Sequence, residues 1–259
     1  MNEINTQSVL IILGILLLIS IIGGCYCSET FADVFKSNKT SILNVDRPNH
    51  PKWYEDIPES HPEVLSLIKQ TNEQAKRVKT YTPKGFDKIQ TPPEVQKYLE
   101  SVALTVDRTP EKSNNIFRRT SSGLPPYLLK IPGEKRQWIH DQLKPIMEKW
   151  SGLKLKPTSA YGPREYRRGS SLRMHVDTEA THVISGILHI YREGMDSDWP
   201  LVVINRQGER ESVFMKPGEL VLYESASLPH SREQPLNGDY YVNMFVHYQP
   251  VDESHLLKK

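Results

Sequence analysis

Hydrophobic and polar positions follow three different rhythms along the 259 residues. Ser8 to Cys27 has no charged residue and is dominated by Ile and Leu. As a helix rising about 1.5 Å per residue it would be about 30 Å long, the thickness of a bilayer's hydrocarbon core. From Ser28 to about Ser60 the chain is polar and punctuated by Pro48, Pro51 and Pro58, the texture of a stalk. Apolar residues then recur at helical spacing. Val64, Leu65, Leu67 and Ile68 predict a first helix, with Ser60 and Glu63 as its capping box and Pro62 in its first turn. Pro92-Pro93 opens a second helix through Tyr98, Leu99 and Val102. Pro132-Gly133 opens a third, with Trp138, Ile139, Leu143, Ile146, Met147 and Trp150 on one face, suited to backing a sheet.

From about Lys156 the period shortens, and runs rich in β-branched and aromatic residues are separated by Gly, Pro, Asn and Asp. Strands are expected over 158–167, 172–175, 181–191, 201–205, 212–215, 219–223 and 240–248. So many short strands in so short a stretch predict a double-sheet jelly roll or barrel, which brings residues of non-adjacent strands into one mouth. The expected organisation is an N-terminal transmembrane anchor or signal segment over 1–28, a polar stalk over 29–60, a helical support region over 61–155 and a jelly-roll core over 156–259. The fold class is mainly β with flanking α.

Composition sharpens the first segment. Met1 to Gln7 contains Glu3 and no Lys or Arg, and the apolar run exceeds a normal signal core, so an uncleaved single-pass anchor is preferred over a cleaved signal peptide. Ile22-Gly23-Gly24-Cys25 also resembles a lipoprotein cleavage box, against which the missing basic start argues. Lys36 and Lys39 are offset by Glu29 and Asp33, so the side of the membrane stays open. Both cysteines, Cys25 and Cys27, end the apolar run, which leaves the rest of the chain without an internal disulfide or a thiolate metal site. A net charge of +2 gives no reason to expect nucleic acid as a partner.

The candidate chemistry lies at His175-Val176-Asp177 with a later His230. Two imidazoles and a carboxylate can occupy one face of an octahedral metal and leave three positions open, the arrangement of non-haem Fe(II) oxygenases. Composition alone produces roughly one His-X-acid pattern by chance, so setting must decide. His61-Pro62-Glu63 is the other instance, and there the helix start explains the residues. His175 instead sits among predicted strands.

The segment from Tyr166 through Gly169 to His175-Val176-Asp177 resembles the start of the catalytic domain of 2-oxoglutarate/Fe(II) dioxygenases of the prolyl 4-hydroxylase type. Lys216-Pro217-Gly218 followed by Glu219 to Tyr223 is similar to that family's Pro-Gly turn and apolar strand, and Leu228-Pro229-His230 stands where the distal iron ligand belongs. The resemblance covers about Lys156 to Pro250. It implies iron at His175, Asp177 and His230, with 2-oxoglutarate and O2 as co-substrates, ascorbate as a reductant, and release of succinate and CO2 as a C–H bond is hydroxylated. It also implies a peptide or protein substrate, a peptidyl proline or related side chain, and an endomembrane location through the anchor. Where the family places a lysine ten residues beyond the distal histidine, this chain has Tyr240. A hydroxyl brings no charge, so another cation is expected to hold the remote carboxylate of 2-oxoglutarate. Arg232, two residues beyond His230 on the same strand, would share its face. Tyr166 and Tyr240 would assist.

Other residues are expected to be structural. His182 and His189 are oddly spaced within a predicted strand, so both cannot line one pocket. His247 falls near the end of the last strand. Arg164, Arg167, Arg168 and Arg173 form a basic cluster suited to a solvated face or to steering an acidic co-substrate. Two other functions stay open: a cupin-like, membrane-anchored binding module without turnover, which the missing lysine keeps alive, and a hydroxylase of a free small molecule.

Overall fold

The computed structural model describes residues 58–111, 118–120 and 124–252. The expected anchor over 1–28 and nearly all of the stalk lie outside the described residues. Among those described, no helix is long and apolar enough to cross a membrane.

Two antiparallel sheets form the body. The larger contains, in spatial order, β1 (Phe86–Gln90), β10 (Glu219–Tyr223), β7 (Ile184–Glu193), β12 (Tyr240–Pro250), β5 (Leu155–Arg167), β4 (Tyr127–Leu129) and β2 (Arg108–Pro110). The smaller contains β3 (Arg118–Thr120), β6 (Ser170–His175), β11 (His230–Arg232), β8 (Leu201–Ile204) and β9 (Arg210–Val213). The chain passes from one sheet to the other between β5 and β6, β7 and β8, and β10 and β11, as the predicted jelly roll requires. Between the sheets, Ile187, Val221 and Tyr223 of the larger pack with Leu201, Val203 and Val213 of the smaller.

Among the described residues three helices flank the sheets: α1 (Pro62–Arg77), α2 (Pro93–Thr105) and α3 (Gly133–Ser151). The buried side of α3 is Ile139, His140, Leu143 and Met147, and it lies on β5 and β7 as its apolar face predicted. The fit is close: a Cβ on Gly186 of β7 would stand 2.5 Å from Met147 Cε. With α2 and α3 on one side and the smaller sheet on the other, β7 is buried at seven successive positions, Ile184 to Ile190. Two-sided burial removes the alternation that marks a half-exposed strand.

Several expectations need correction. The N-cap of α1 is His61, whose Nδ1 accepts from the Glu63 N–H at 3.3 Å, in place of Ser60. Its buried side is Val64, Leu67 and Thr71, while Leu65 and Ile68 are exposed, because α1 rests on β6 along a narrow stripe. The region expected to be helical also supplies β1 to β4. Phe86-Asp87-Lys88-Ile89-Gln90 buries one side chain and pairs with β10 at the sheet's edge, so its sequence carries little apolar signal. The strands β2, β3 and β4 are three residues each, too short to show a period.

Candidate metal centre

Strand pairing builds the centre. His175 ends β6, His230 begins β11, and the two are direct cross-strand partners. Side chains opposite one another on one face of an antiparallel pair are close neighbours, and here the ring centroids are 4.4 Å apart. Asp177 lies two residues past His175, held by its N–H donating to the Ser225 carbonyl at 2.9 Å. That turn is itself anchored. Buried Glu224 accepts from the N–H groups of Tyr81 at 3.0 Å and Thr82 at 2.8 Å and pairs with Arg206 at 2.6 Å.

The three residues meet the demands of a metal. Asp177 Oδ1 lies 3.8 Å from His175 Nε2 and 3.9 Å from His230 Nε2. An ion bonded at about 2 Å to each would draw these atoms together by less than about 1 Å. The far nitrogens are tied to backbone carbonyls: His175 Nδ1 to Arg173 at 2.7 Å and His230 Nδ1 to Leu228 at 2.9 Å. A carbonyl only accepts, so each Nδ1 carries the hydrogen and each Nε2 presents a lone pair inward. Tyr223 donates to Asp177 Oδ2 at 3.2 Å, which leaves Oδ1 to face the imidazoles. Burial, with His230 alongside, pushes the His175 imidazole down to about 4. Burial works against ionisation of Asp177, but the surrounding imidazoles outweigh it and hold the carboxyl at about 2. Near neutral pH these two groups are therefore in the states a divalent metal binds. His61 lies outside this set, as expected, and caps α1 in place of the expected Ser60.

The triad opens on a cavity of about 370 Å³ between the sheets, within the range of small-molecule sites. Leu172, Ile187, Leu201 and Phe245 give it apolar walls, and Tyr166, Arg164 and Arg232 line it. Arg232 is 2 % exposed. Its guanidinium lies 4.5 Å from the Trp199 ring centroid and 4.8 Å from that of Tyr241, and donates to the Trp199 carbonyl. With the Asn243 amide oriented to satisfy its neighbours, its oxygen accepts from Arg232 Nη2 at 3.2 Å. Among the described residues no carboxylate pairs with Arg232.

Tyr166 is at the cavity as expected, its hydroxyl accepting from Arg164 Nη1 at 3.1 Å. Tyr240 is not. Alternation along β12 turns Tyr241 inward, stacked on His189 at 3.9 Å, and sends Tyr240 to the other face, where its hydroxyl donates to Glu193 at 2.8 Å. Nor is the basic cluster a solvated face throughout. Arg168 is exposed and pairs with Asp196 at 2.6 Å, Arg167 pairs with buried Glu165, and Arg173 pairs with Glu59 on the rim of a separate groove beside α1. Arg164 points into the cavity and pairs with Glu111 at 2.9 Å. The reason is a bulge. Asn243 and Phe245 of β12 face Arg164 and Tyr161 of β5, so three steps on β5 answer two on β12. Tyr161 and Arg164 consequently share the inner face, contrary to strict alternation. Gly162 carries the irregularity with φ +93°, and a Cβ there would lie 2.7 Å from the Arg164 N atom. The signal was Gly162-Pro163 inside a strand.

His182 and His247, expected to be structural, also line the cavity, whereas His189 is buried beneath Tyr241 away from it. Only one of His182 and His189 lines the pocket, as expected, but His182 precedes β7, so strand alternation is not what separates them.

No family model matches the sequence, and no curated protein matches it. Among solved structures, a Pseudomonas putida prolyl-4-hydroxylase is 15% identical, with a TM-score of 0.44 over 71% of this chain and 98% of that one. HygX from Streptomyces hygroscopicus, with nickel, 2-oxoglutarate and hygromycin B bound, is 13% identical, with a TM-score of 0.49 over 70% of this chain and 88% of that one. A Trichoplax adhaerens prolyl hydroxylase in complex with a hypoxia inducible factor peptide fragment is 12% identical, with a TM-score of 0.47 over 79% and 96%. These likenesses are slight. What the site can do follows from its own residues: His175, Asp177 and His230 form a two-histidine, one-carboxylate set able to hold a metal ion at a jelly-roll cavity.

Proposed function

We propose that this chain is an Fe(II)- and 2-oxoglutarate-dependent dioxygenase that hydroxylates an unactivated C–H bond. The observation that carries the reading is the facial triad with two inward Nε2 lone pairs, opening on a cavity whose floor holds a buried arginine without a described carboxylate partner. Iron with 2-oxoglutarate and O2 would supply the oxidising power, with release of succinate and CO2.

The protein's part is to hold and orient. His175, His230 and Asp177 would hold the metal from one side and leave its remaining positions to co-substrates. Tyr223 keeps the second oxygen of Asp177 engaged. Arg232 would take the place of the missing lysine and pair with the remote carboxylate of 2-oxoglutarate. Tyr166 adds a hydroxyl nearby. Leu172, Ile187, Leu201 and Phe245 limit water around the reacting atoms. A cation for the co-substrate weakens the case for a module without turnover, which rested on the absence of one.

A peptide side chain, in particular a peptidyl proline, is the substrate that the sequence resemblance supports, with ascorbate as the accessory reductant. Attachment to a membrane rests on the composition of Ser8 to Cys27 and places the domain at a membrane surface. The test combines two measurements. Protein supplied with Fe(II), O2 and 2-oxoglutarate should release succinate, and a peptide library incubated with it should yield products carrying one added oxygen atom. Succinate release with oxidation of free small molecules alone would overturn the peptide assignment. No succinate release under any condition would overturn the enzyme.

A further inference from the structure

A hydrogen-bond chain at the mouth of the cavity fixes the proton on a histidine that the metal centre does not use. Ser225 Oγ lies 2.6 Å from the carbonyl oxygen of His182. A carbonyl only accepts, so the one hydroxyl proton of Ser225 points there. Ser185 Oγ lies 2.6 Å from Ser225 Oγ. Two oxygens this close need a proton between them, and Ser225 has none left, so Ser185 donates. His247 Nδ1 lies 2.8 Å from Ser185 Oγ. With its own proton already committed, Ser185 accepts at this contact, and Nδ1 of His247 carries the hydrogen.

Burial pushes the His247 imidazole down to about 3, so near neutral pH the ring is neutral. A neutral ring with hydrogen on Nδ1 has a lone pair on Nε2. Strand register makes the placement rigid: on β12, His247 faces Ser185 of β7 on one side and Ser159 of β5 on the other. The ring also lies against His182, with centroids 3.7 Å apart and planes tilted by 37°. Both rings line the cavity together with Asp177. Nδ1 is tied back to the sheet, so the remaining nitrogen is the one left for the cavity, and among the described residues nothing hydrogen-bonds to it.

We propose that His247 Nε2 is a substrate-positioning acceptor that seats a backbone N–H next to the residue to be oxidised; for a peptidyl proline, whose own nitrogen carries no hydrogen, the donor is the N–H of the following residue. Its role in substrate choice rests on the oxygenase reading above, whereas the proton placement does not. A rigid lone pair selects for a donor. A secondary amide satisfies it, and an N,N-disubstituted amide of the same shape leaves it unpaired, at the cost of a buried unsatisfied acceptor.

The test reads the ring nitrogens directly. Full-length protein labelled with ¹⁵N-histidine is observed by long-range ¹H–¹⁵N correlation, with His247→Phe identifying the signals. N-methylacetamide and N,N-dimethylacetamide serve as donor-bearing and donor-free probes. Nδ1 of His247 should be pyrrole-like and Nε2 pyridine-like, and only N-methylacetamide should shift Nε2. Ser225→Ala frees the Ser185 proton and should move the hydrogen of His247 toward Nε2, which identifies the ring even where His247→Phe does not fold. A hydrogen on Nε2 in the wild type, or equal shifts from both probes, would overturn the proposal. Failure of the oxygenase reading would appear as absent succinate release and would leave these signals unchanged.

Discussion

Two arginines line the same cavity and differ in their partners. Arg164 reaches the interior from the bulge of β5 and meets the Glu111 carboxylate at 2.9 Å, the Tyr166 hydroxyl at 3.1 Å and the Tyr161 ring at 4.6 Å. Its charge is answered within the fold. Arg232 lies deeper, between Trp199 and Tyr241, with a carbonyl and an amide oxygen as acceptors and no described carboxylate. Rings and neutral dipoles compensate a buried cation only in part. The paired arginine is satisfied within the fold, whereas the unpaired one is where the proposed function expects an anion. A dicarboxylate held at the triad, as proposed, would be such an anion.

The metal ligands mark the largest effect expected around this comparison. Asp177→Ala or His175→Ala should abolish turnover and lower metal affinity while far-UV circular dichroism stays that of a folded β protein, since the mouth of the barrel is not its packed core. Full activity of either variant with iron present would sink the assignment. Next comes the paired arginine. Glu111→Ala leaves Arg164 buried without its anion, and breaking such a pair costs about 3–5 kcal/mol. Denaturant unfolding should show this loss, with the Michaelis constant for 2-oxoglutarate little changed. A large rise in that constant without loss of stability would make Arg164 the clamp.

A smaller effect concerns acid. Burial pushes the imidazoles of His189 and His247 down to about 3, from an ordinary value of 6.5. Between these values the unfolded chain takes up protons that the folded protein refuses, so stability falls as pH drops below about 6.5. Each histidine should contribute up to roughly 1 kcal/mol per pH unit. Thermal unfolding at pH 7 and pH 5 measures the change, and equal melting temperatures would contradict it.

Most of the centre was legible in the sequence because its information is local. His175 and Asp177 are two residues apart, and Arg232 follows His230 on the same short strand, so short spacing keeps each pair together even though Asp177 lies just past the end of β6. Tyr240 was misplaced because resemblance fixed a count of ten residues, while the side a residue faces depends on where β12 begins its alternation. Arg164 and Tyr161 share a face only because of the bulge at Gly162-Pro163. His247 becomes a cavity residue through its register with Ser185 and Ser159, a pairing that no local pattern encodes. The strands β1 to β4 escaped notice since edge and three-residue strands carry almost no period.

The most direct test of the account is an anaerobic titration of 2-oxoglutarate into metal-loaded protein, wild type against Arg232→Met. Losing the partner of a buried carboxylate typically costs about 2–5 kcal/mol, so affinity should fall by roughly 30-fold or more. Without ligand the variant should be at least as stable as the wild type, because an apolar side chain replaces a charge that nothing in the described fold neutralises. Unchanged affinity, or a variant that loses stability while binding 2-oxoglutarate normally, would show that Arg232 is structural and that the anion seat lies elsewhere.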